Sequence, residues 1–209
     1  MPRPRQFDGD DVLDRAVLEF WRHGYAGCSV DDLLGQLGLA RASMYRTFGS
    51  KAELYAKSLR RYRVSEGKRF ANCVRSDETA LDAVEALFEQ IVEQSLDPDR
   101  PRGCFVVSAA TERVPDDPDT SNQVADQLHT LEEMFTAMFE HAVESGQLGS
   151  PFASRRWARF IVTAIQGMRV VATARPERDL LTDTAASVVS AVRCAADRSS
   201  PSPPAPTDG

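Results

Sequence analysis

The segment from residue 41 to residue 51 concentrates side chains that bind phosphate groups and base edges. Arg41 and Arg46 can reach phosphate oxygens or guanine edges, and Tyr45 can donate a hydrogen bond to a phosphate. Two further residues are predicted at helix N-termini, where backbone N–H groups favour a phosphate. The candidate contacts are Ser29, Arg41, Ala42, Ser43, Tyr45, Arg46 and Lys51. Each of these residues alone is as likely to be an ordinary surface residue as a DNA contact. Together, at this spacing, they predict binding to DNA.

A second candidate is the thiol of Cys104, which ends the tripeptide RGC. We expect Cys104 in the first turn of a helix, where the helix dipole and the Arg102 guanidinium would stabilise a thiolate. Such a thiol would react with oxidants or electrophiles, more readily than Cys73 and Cys194, which are predicted late in their helices, or Cys28 in the N-terminal region. The alternative is that Cys104 packs as a small apolar side chain.

No residue pattern predicts catalysis or a metal site. His129 and His141 are twelve residues apart on one predicted helix, whereas metal ligands on a helix are spaced by three or four, and His23 stands alone. The motifs HExxH, GxSxG and GxGxxG and the P-loop pattern do not occur. We therefore predict a protein that is not an enzyme and that needs neither a metal nor a cofactor.

A helix, a sharp turn and a second helix are predicted to position the candidate DNA contacts. Ser29 and Asp32 have the spacing of a capping box at the start of the first helix, and Gly38 ends it. On the second helix, Met44 and Phe48 lie four residues apart and are expected to be buried together, which leaves the candidate contacts outside. A two-turn helix is unstable alone. Its place after a glycine turn is typical of a helix-turn-helix, whose second helix enters the major groove of DNA.

The rest of the chain repeats apolar residues at intervals of three and four, without the alternation typical of strands. A helix is predicted before the helix-turn-helix and ends at Gly24, and a long one after it opens at a second capping box, Ser50 to Glu53. The predicted helices outside the helix-turn-helix span residues 8–23, 51–69, 78–96, 103–114, 120–145, 151–175 and 177–197. The predicted fold is therefore all-α.

Charge is divided unevenly along the chain. Residues 1–70 contain 13 Lys and Arg against 9 Asp and Glu, a net charge of +4, whereas the remainder contains 12 against 22, a net charge of −10. The total of −6 therefore does not exclude DNA binding, which we expect at one end only. We predict a helix-turn-helix head at residues 1–50, a ligand-binding and dimerising body at residues 51–197 that opens with a connecting helix, and a disordered Pro- and Ser-rich tail at residues 198–209.

Location in the cell follows from what the sequence lacks. No apolar run approaches the 18 residues that a membrane span needs, and the first arginines are not followed by the apolar run of an export signal. The four cysteines lie far apart without a CxxC pair, so we expect free thiols in a reducing compartment. The prediction is a cytoplasmic protein with no membrane contact.

The last two predicted helices are apolar over arcs wider than one neighbour can cover. Their apolar residues are Trp157, Phe160, Ile161, Ala164, Ile165, Met168, Val170 and Val171 on one helix and Leu180, Leu181, Ala185, Val188, Val189 and Val192 on the other. A two-fold four-helix bundle built from two copies would cover them, with Ile165 and Val188 in the interface. The alternative is a monomer whose own core covers both helices.

The segment CSVDDLLGQLGLARASMYRTFGSKAEL, residues 28–54, resembles the DNA-binding core of the tetracycline-repressor (TetR) family of bacterial transcriptional regulators. By this resemblance, Tyr45 and Lys51 match phosphate-contact positions, and residues 41–46 match those that read bases. Three residues depart from the family's usual serine, glycine and aromatic, and they are Ala40, Ala42 and Thr47. The segment RGCFVVSAATE is similar to one that opens the sixth helix in a branch of the family, in some of whose members the cysteine senses oxidants or electrophiles.

The resemblance implies a homodimeric repressor that binds a palindromic operator. A small molecule or a thiol modification would favour a body conformation that moves the two recognition helices apart. The effector is unknown, and the residues predicted to bind or sense it are Cys104, Phe105, Phe135, Phe139 and Gln166. The competing prediction is a helical small-molecule-binding or catalytic bundle without DNA binding, which the atypical Ala40 and Ala42 would permit.

Overall fold

In a computed structural model, which describes residues 8–73 and 79–199, all regular structure is α-helical. The helices are α1 (Gly9–Gly27), α2 (Val30–Leu37), α3 (Arg41–Phe48), α4 (Lys51–Cys73), α5 (Ala80–Leu96), α6 (Phe105–Glu112), α7 (Pro118–Glu144), α8 (Ser154–Ala174) and α9 (Arg178–Ser199). The predicted all-α fold is confirmed. In the predicted tail, Arg198 and Ser199 still belong to α9, and residues 200–209 lie outside the described residues.

Packing divides the chain into two compact units. The first comprises the residues up to Ala71 together with Pro98–Gln127, and the second comprises Asn72–Asp97 together with the residues from Leu128 on. The first unit therefore contains α1, α2, α3, nearly all of α4, α6 and the first part of α7. The predicted functional boundary after residue 50 lies inside this unit and remains a prediction.

Aromatic rings join three helices in the core of the first unit. The ring of Tyr55 on α4 lies edge-on to Phe20 of α1 at 5.0 Å and to Phe105 of α6 at 5.3 Å between centroids. Tyr62, also on α4, lies edge-on to Trp21 of α1 at 4.9 Å. Edge-on ring pairs contribute about 0.5–1.5 kcal/mol each beyond their buried area. The rings thus fix α1, α4 and α6 to one another.

In the second unit, α8 packs against α5 and α9, and most apolar residues of these helices are buried. This corrects the predicted interface positions, because Ile165 is 0% exposed and Val188 is 7% exposed within the single chain. Part of the apolar arc of α8 nevertheless stays uncovered. Its large exposed apolar residues are Phe160, Val170 and Val171.

Candidate nucleic-acid interface

The turn between α2 and α3 is built by the residues that the sequence singled out. The Asp32 N–H donates to the Ser29 hydroxyl oxygen at 3.1 Å, and the Ser29 N–H donates to the Asp32 carboxylate at 3.2 Å, which confirms the capping box. The Ser29 hydroxyl also donates to the Asp32 carboxylate, and this bond, followed by that of the Ser29 N–H, holds the pKa of Asp32 below its usual range. Gly38 ends α2 in the left-handed region, at φ 65° and ψ 32°, which glycine adopts without steric cost.

The short helix α3 is anchored by two buried side chains and exposes the rest. Met44 and Phe48 are buried in the core, as predicted. The exposed side carries Arg41, Ala42, Tyr45 and Arg46, with Ser43 half-buried beside them. We call these five residues the recognition face. Their exposure agrees with the prediction, and their contact with DNA remains a prediction.

The N-terminus of α3 has no side-chain cap. Ala40 stands at the N-cap and supplies no side-chain hydrogen bond to the first turn. At the start of α4, by contrast, the Ser50 N–H donates to Glu53 at 2.6 Å and the Glu53 N–H donates to the Ser50 hydroxyl oxygen at 3.1 Å. Uncapped N–H groups at a helix start are a binding site for phosphate. With alanine at residue 40, no side chain caps the first turn of α3, and the Ser43 N–H donates instead to the Ala40 carbonyl oxygen at 2.9 Å.

The three cations at this surface differ in their partners. Arg41 forms an ion pair with Asp31 of α2, across the turn. The Lys51 ammonium lies 4.2 Å above the centre of the Tyr25 ring. Arg46 is exposed and has no ion pair within the described part of the chain. Sequence reasoning missed the pairing of Arg41, since Asp31 lies ten residues away and on another helix.

Comparison with known proteins decides the family. Residues 12–57 match the model of the bacterial regulatory proteins of the tetR family, and residues 80–188 match that of the tetracyclin repressor-like C-terminal domain. The chain belongs to the TetR family of bacterial transcriptional regulators. Both the helix-turn-helix and most of the body of a TetR regulator are thus present, which confirms the family predicted from the sequence.

Individual TetR-family relatives match over most of the chain. The uncharacterized HTH-type transcriptional regulator YezE of Bacillus subtilis (strain 168) is 31% identical over 186 residues, which cover 88% of this chain and 95% of YezE. The HTH-type transcriptional repressor ComR of Escherichia coli (strain K12) is 30% identical over 173 residues, 81% of each protein. A solved structure of the TetR-family regulator CifR with cysteine substitutions, in complex with a 26-base-pair operator duplex, is 28% identical with a TM-score of 0.83 and covers 90% of this chain and 99% of that one.

Cys104, the candidate sensor suggested by the TetR resemblance, is buried. It stands at the N-cap of α6 with extended backbone angles (φ −142°, ψ 131°), and not in the first helical turn as predicted, because the helix begins only at Phe105. Its side chain is 2% exposed, and the Tyr62 hydroxyl lies 3.5 Å from Sγ. Among the other thiols described, Cys28 is buried and Cys194 is exposed. By accessibility alone, Cys194 would react most readily. The prediction that Cys104 is the most reactive thiol therefore depends on the helix start and on Arg102.

The thiol of Cys28 is expected to be unreactive because it is buried. Its thiol lies 3.5 Å from the carbonyl oxygen of Glu19, to which it donates. Burial, followed by the charge of Glu19, raises its pKa to about 11. The thiolate, which is the reactive form, is therefore scarce at neutral pH. Cys28 serves as a packing residue between α1 and α2.

The residues predicted to bind the effector fall in different parts of the TetR fold. Phe105 belongs to the first unit, and Phe135, Phe139 and Gln166 belong to the second. The Oε1 atom of Gln166 is buried without a hydrogen-bond partner. A buried acceptor of this kind is costly unless a donor reaches it. The predicted pocket remains a prediction.

A groove of about 620 Å³ lies in the second unit between α5 and α9 and is lined by none of the predicted effector residues. Phe88 and Val189 contribute apolar surface to it. Two ion pairs bridge the helices that flank it, Arg178 with Glu93 and Arg193 with Glu85. These pairs are about half exposed and add little to stability. The groove is a surface feature of the bundle with mixed polarity.

Proposed function

We propose that this TetR-family chain is a ligand-responsive repressor that binds an inverted repeat of DNA as a homodimer. The observation that carries the proposal is the recognition face, held outward by Met44 and Phe48 on a helix directly after a tight glycine turn. A helix presented in this way fits the major groove, with its first residues against base edges. The relatives ComR, a transcriptional repressor, and CifR, solved in complex with operator DNA, support the same role.

The contacts divide into two kinds in this proposal. Arg41 and Arg46 contact bases, since guanidinium groups match the acceptor pair of guanine. Tyr45 and Lys51 contact phosphates, and Ser29 does so at the start of α2. Phosphate contacts set affinity and its dependence on salt, and base contacts set sequence preference.

The homodimer in this proposal forms through α8 and α9. Phe160, Val170 and Val171 are 41%, 51% and 42% exposed on α8, and the strip on which they lie is a candidate interaction surface, because exposed apolar patches mark such surfaces. Gly167, on the same side of the helix, has no atom within 4 Å of the position where its Cβ would lie. A small residue in the strip permits close approach of a second helix. A two-fold axis there presents two recognition faces to a palindromic operator.

Release from the operator is proposed to follow binding of a small molecule to the body. The ligand has to shift the protein fully from the DNA-binding conformation to the released conformation. This needs a difference of about 5 kcal/mol between its affinities for the two conformations, which a single buried apolar ligand can supply. Modification of Cys104 is the other route, and its burial means that the site has to open before an electrophile reaches the thiol.

The decisive experiment selects a DNA site and then tests the assigned contacts. The wild-type protein selects duplexes from a random library, and we expect an inverted repeat. On that duplex, Lys51→Ala is expected to lower affinity for every sequence and to reduce the slope of log affinity against log salt by about 0.9 per lysine. Arg41→Ala is expected to change the preferred base. If the wild-type protein selects no site, the alternative of a helical small-molecule-binding or catalytic bundle without DNA binding is favoured.

The same duplex separates the two release routes. An electrophile that releases the wild-type protein but not Cys104→Ser would identify the thiol as the sensor. Equal release of both proteins would exclude Cys104 as the sensor and leave it as a packing residue, and the effector would then be sought as a non-covalent ligand once Cys194→Ser is shown to be released equally as well.

A further inference from the structure

The carboxylate of Glu112, the last residue of α6, hydrogen-bonds to the backbone of α1. Its Oε2 accepts from the Tyr25 N–H at 2.8 Å, and its Oε1 accepts from the Ala26 N–H at 2.7 Å. Such charge-assisted hydrogen bonds are about twice as strong as neutral ones. One side chain of α6 thus holds two successive N–H groups of α1, 86 and 87 residues earlier in the chain.

A glycine makes this contact possible. Gly24 interrupts α1 with φ 73° and ψ 177°, and Tyr25 and Ala26 follow directly after this break. N–H groups after a break lose their intrahelical acceptors, so an external acceptor stabilises them. A Cβ at residue 24 would lie 2.8 Å from Oε2 of Glu112. The close approach of the carboxylate therefore requires glycine at this position.

The ring of Tyr25 is the next link, because it lies under the candidate phosphate contact. The Lys51 ammonium is 4.2 Å and the Arg113 guanidinium 3.9 Å from the ring centre. The Tyr55 ring lies edge-on to Tyr25 at 5.2 Å. Attraction between a cation and a ring face holds the ammonium near the ring. An ammonium has three donors, so this contact leaves donors for a phosphate oxygen.

We propose that Glu112 is a positioning residue for the phosphate contact of Lys51. By fixing the backbone at Tyr25 and Ala26, it places the Tyr25 ring where the ring holds the Lys51 ammonium at the start of α4. The end of α6 thereby controls how strongly the head holds DNA, through the backbone of α1, the Tyr25 ring and the Lys51 ammonium. This inference rests on the proposed DNA-binding function.

A double-mutant cycle in the full-length protein tests the proposal. The probe is the duplex selected by the wild-type protein, and the dissociation constant is measured at several salt concentrations for Glu112→Ala, Lys51→Ala and the double variant. We expect Glu112→Ala to lower affinity by about tenfold and to reduce the salt slope by about 0.9 per subunit, as loss of one phosphate contact does. The double variant is expected to resemble Lys51→Ala, because the two changes remove the same contact.

Two further variants separate positioning from folding. Thr111→Ala changes the neighbouring exposed residue, whose hydroxyl donates to carbonyl oxygens of α6 itself, and is expected to leave the salt slope unchanged. Glu112→Gln keeps one acceptor oxygen but turns an amide donor toward the second N–H, so we expect intermediate affinity. Melting temperatures are recorded for all variants. A variant that only unfolds part of the protein lowers the active fraction without changing the slope.

The outcomes are distinct. A reduced slope in Glu112→Ala with no further reduction in the double variant supports the proposal. An unchanged slope, or losses in affinity that add independently in the double variant, overturns it while leaving DNA binding intact. If the wild-type protein selects no duplex, the proposed function fails before the cycle begins.

Discussion

At the scale of single residues, the cations of the candidate interface differ in the contacts that hold them in the DNA-free protein. The exposure of the recognition face could be predicted, because Met44 and Phe48 have the spacing that buries one side of a short helix. The ion pair between Arg41 and Asp31 could not, because it joins two helices whose relative rotation depends on the turn at Gly38. The sequence thus predicts which side chains are outside and leaves open what they contact.

The first prediction concerns this ion pair. Asp31→Asn removes a carboxylate that competes with DNA for Arg41 and that repels nearby phosphates. Exposed ion pairs contribute little to stability, so the fold is expected to remain intact. We expect affinity for the selected duplex to rise several-fold, with a larger rise for unrelated duplexes, because a released arginine binds phosphate without regard to sequence. Anisotropy titrations on both duplexes measure the two changes.

Asp11→Asn is the matched control for this substitution. Asp11 also pairs with an exposed arginine, Arg15 at 2.8 Å, but both lie on α1 and outside the recognition face. It changes the charge of the head by the same amount. Equal effects of the two substitutions would show that Asp31 acts only through net charge.

At the scale of helices, the end of α1 was misplaced because a distant residue sets it. The sequence predicts that α1 ends at Gly24, yet the helix resumes and continues to Gly27. It resumes because Glu112 supplies acceptors for the N–H groups after the break. By contrast, the starts of α2 and α4 depend on capping residues within three positions, Ser29 and Ser50, and they were predicted correctly.

The second prediction uses the break itself. Gly24→Ala is expected to lower the free energy of unfolding by at least about 1–2 kcal/mol, because an L-residue at positive φ is strained. The new Cβ also meets the Glu112 carboxylate. In a Glu112→Ala background that second contact is absent, so we expect a smaller loss. Chemical denaturation of the single and double variants measures the difference.

Gly67→Ala serves as the control for the glycine substitution. Gly67 lies within α4, and a Cβ there would have no atom within 4 Å. Alanine stabilises a helix interior relative to glycine by about 0.5–1 kcal/mol. Loss of stability in Gly24→Ala that does not depend on Glu112 would assign the whole effect to backbone strain.

At the scale of the whole molecule, the sequence predicted the helices better than their grouping. The boundary predicted at residue 50 is one of expected function and stays a prediction, whereas packing groups α6 with α1 and α4 in one unit. Edge-on rings of Phe105, Tyr55 and Tyr62 account for this grouping, and contacts between such distant residues leave no local pattern in a sequence. The apolar arcs of α8 and α9 were recognised, but periodicity alone did not distinguish the side that faces the chain's own core.

No helix among the described residues is long and apolar enough to span a membrane.

The last prediction tests the dimer on the uncovered side of α8. Val170 is 51% exposed, so Val170→Glu is expected to leave the isolated fold intact and to place an unpaired charge in the proposed interface. Sedimentation should then show folded monomers, with DNA binding lost in parallel. Val64→Glu is the control, since Val64 is 55% exposed on α4 and the same substitution there should leave the oligomeric state unchanged.

Ile165→Glu, at a residue that is 0% exposed, is expected to unfold the second unit, which circular dichroism distinguishes from dissociation. A wild-type monomer at micromolar concentration, or a Val170→Glu variant that stays dimeric, would place the interface elsewhere, because a buried charge cannot be accommodated in a packed apolar contact without loss of affinity.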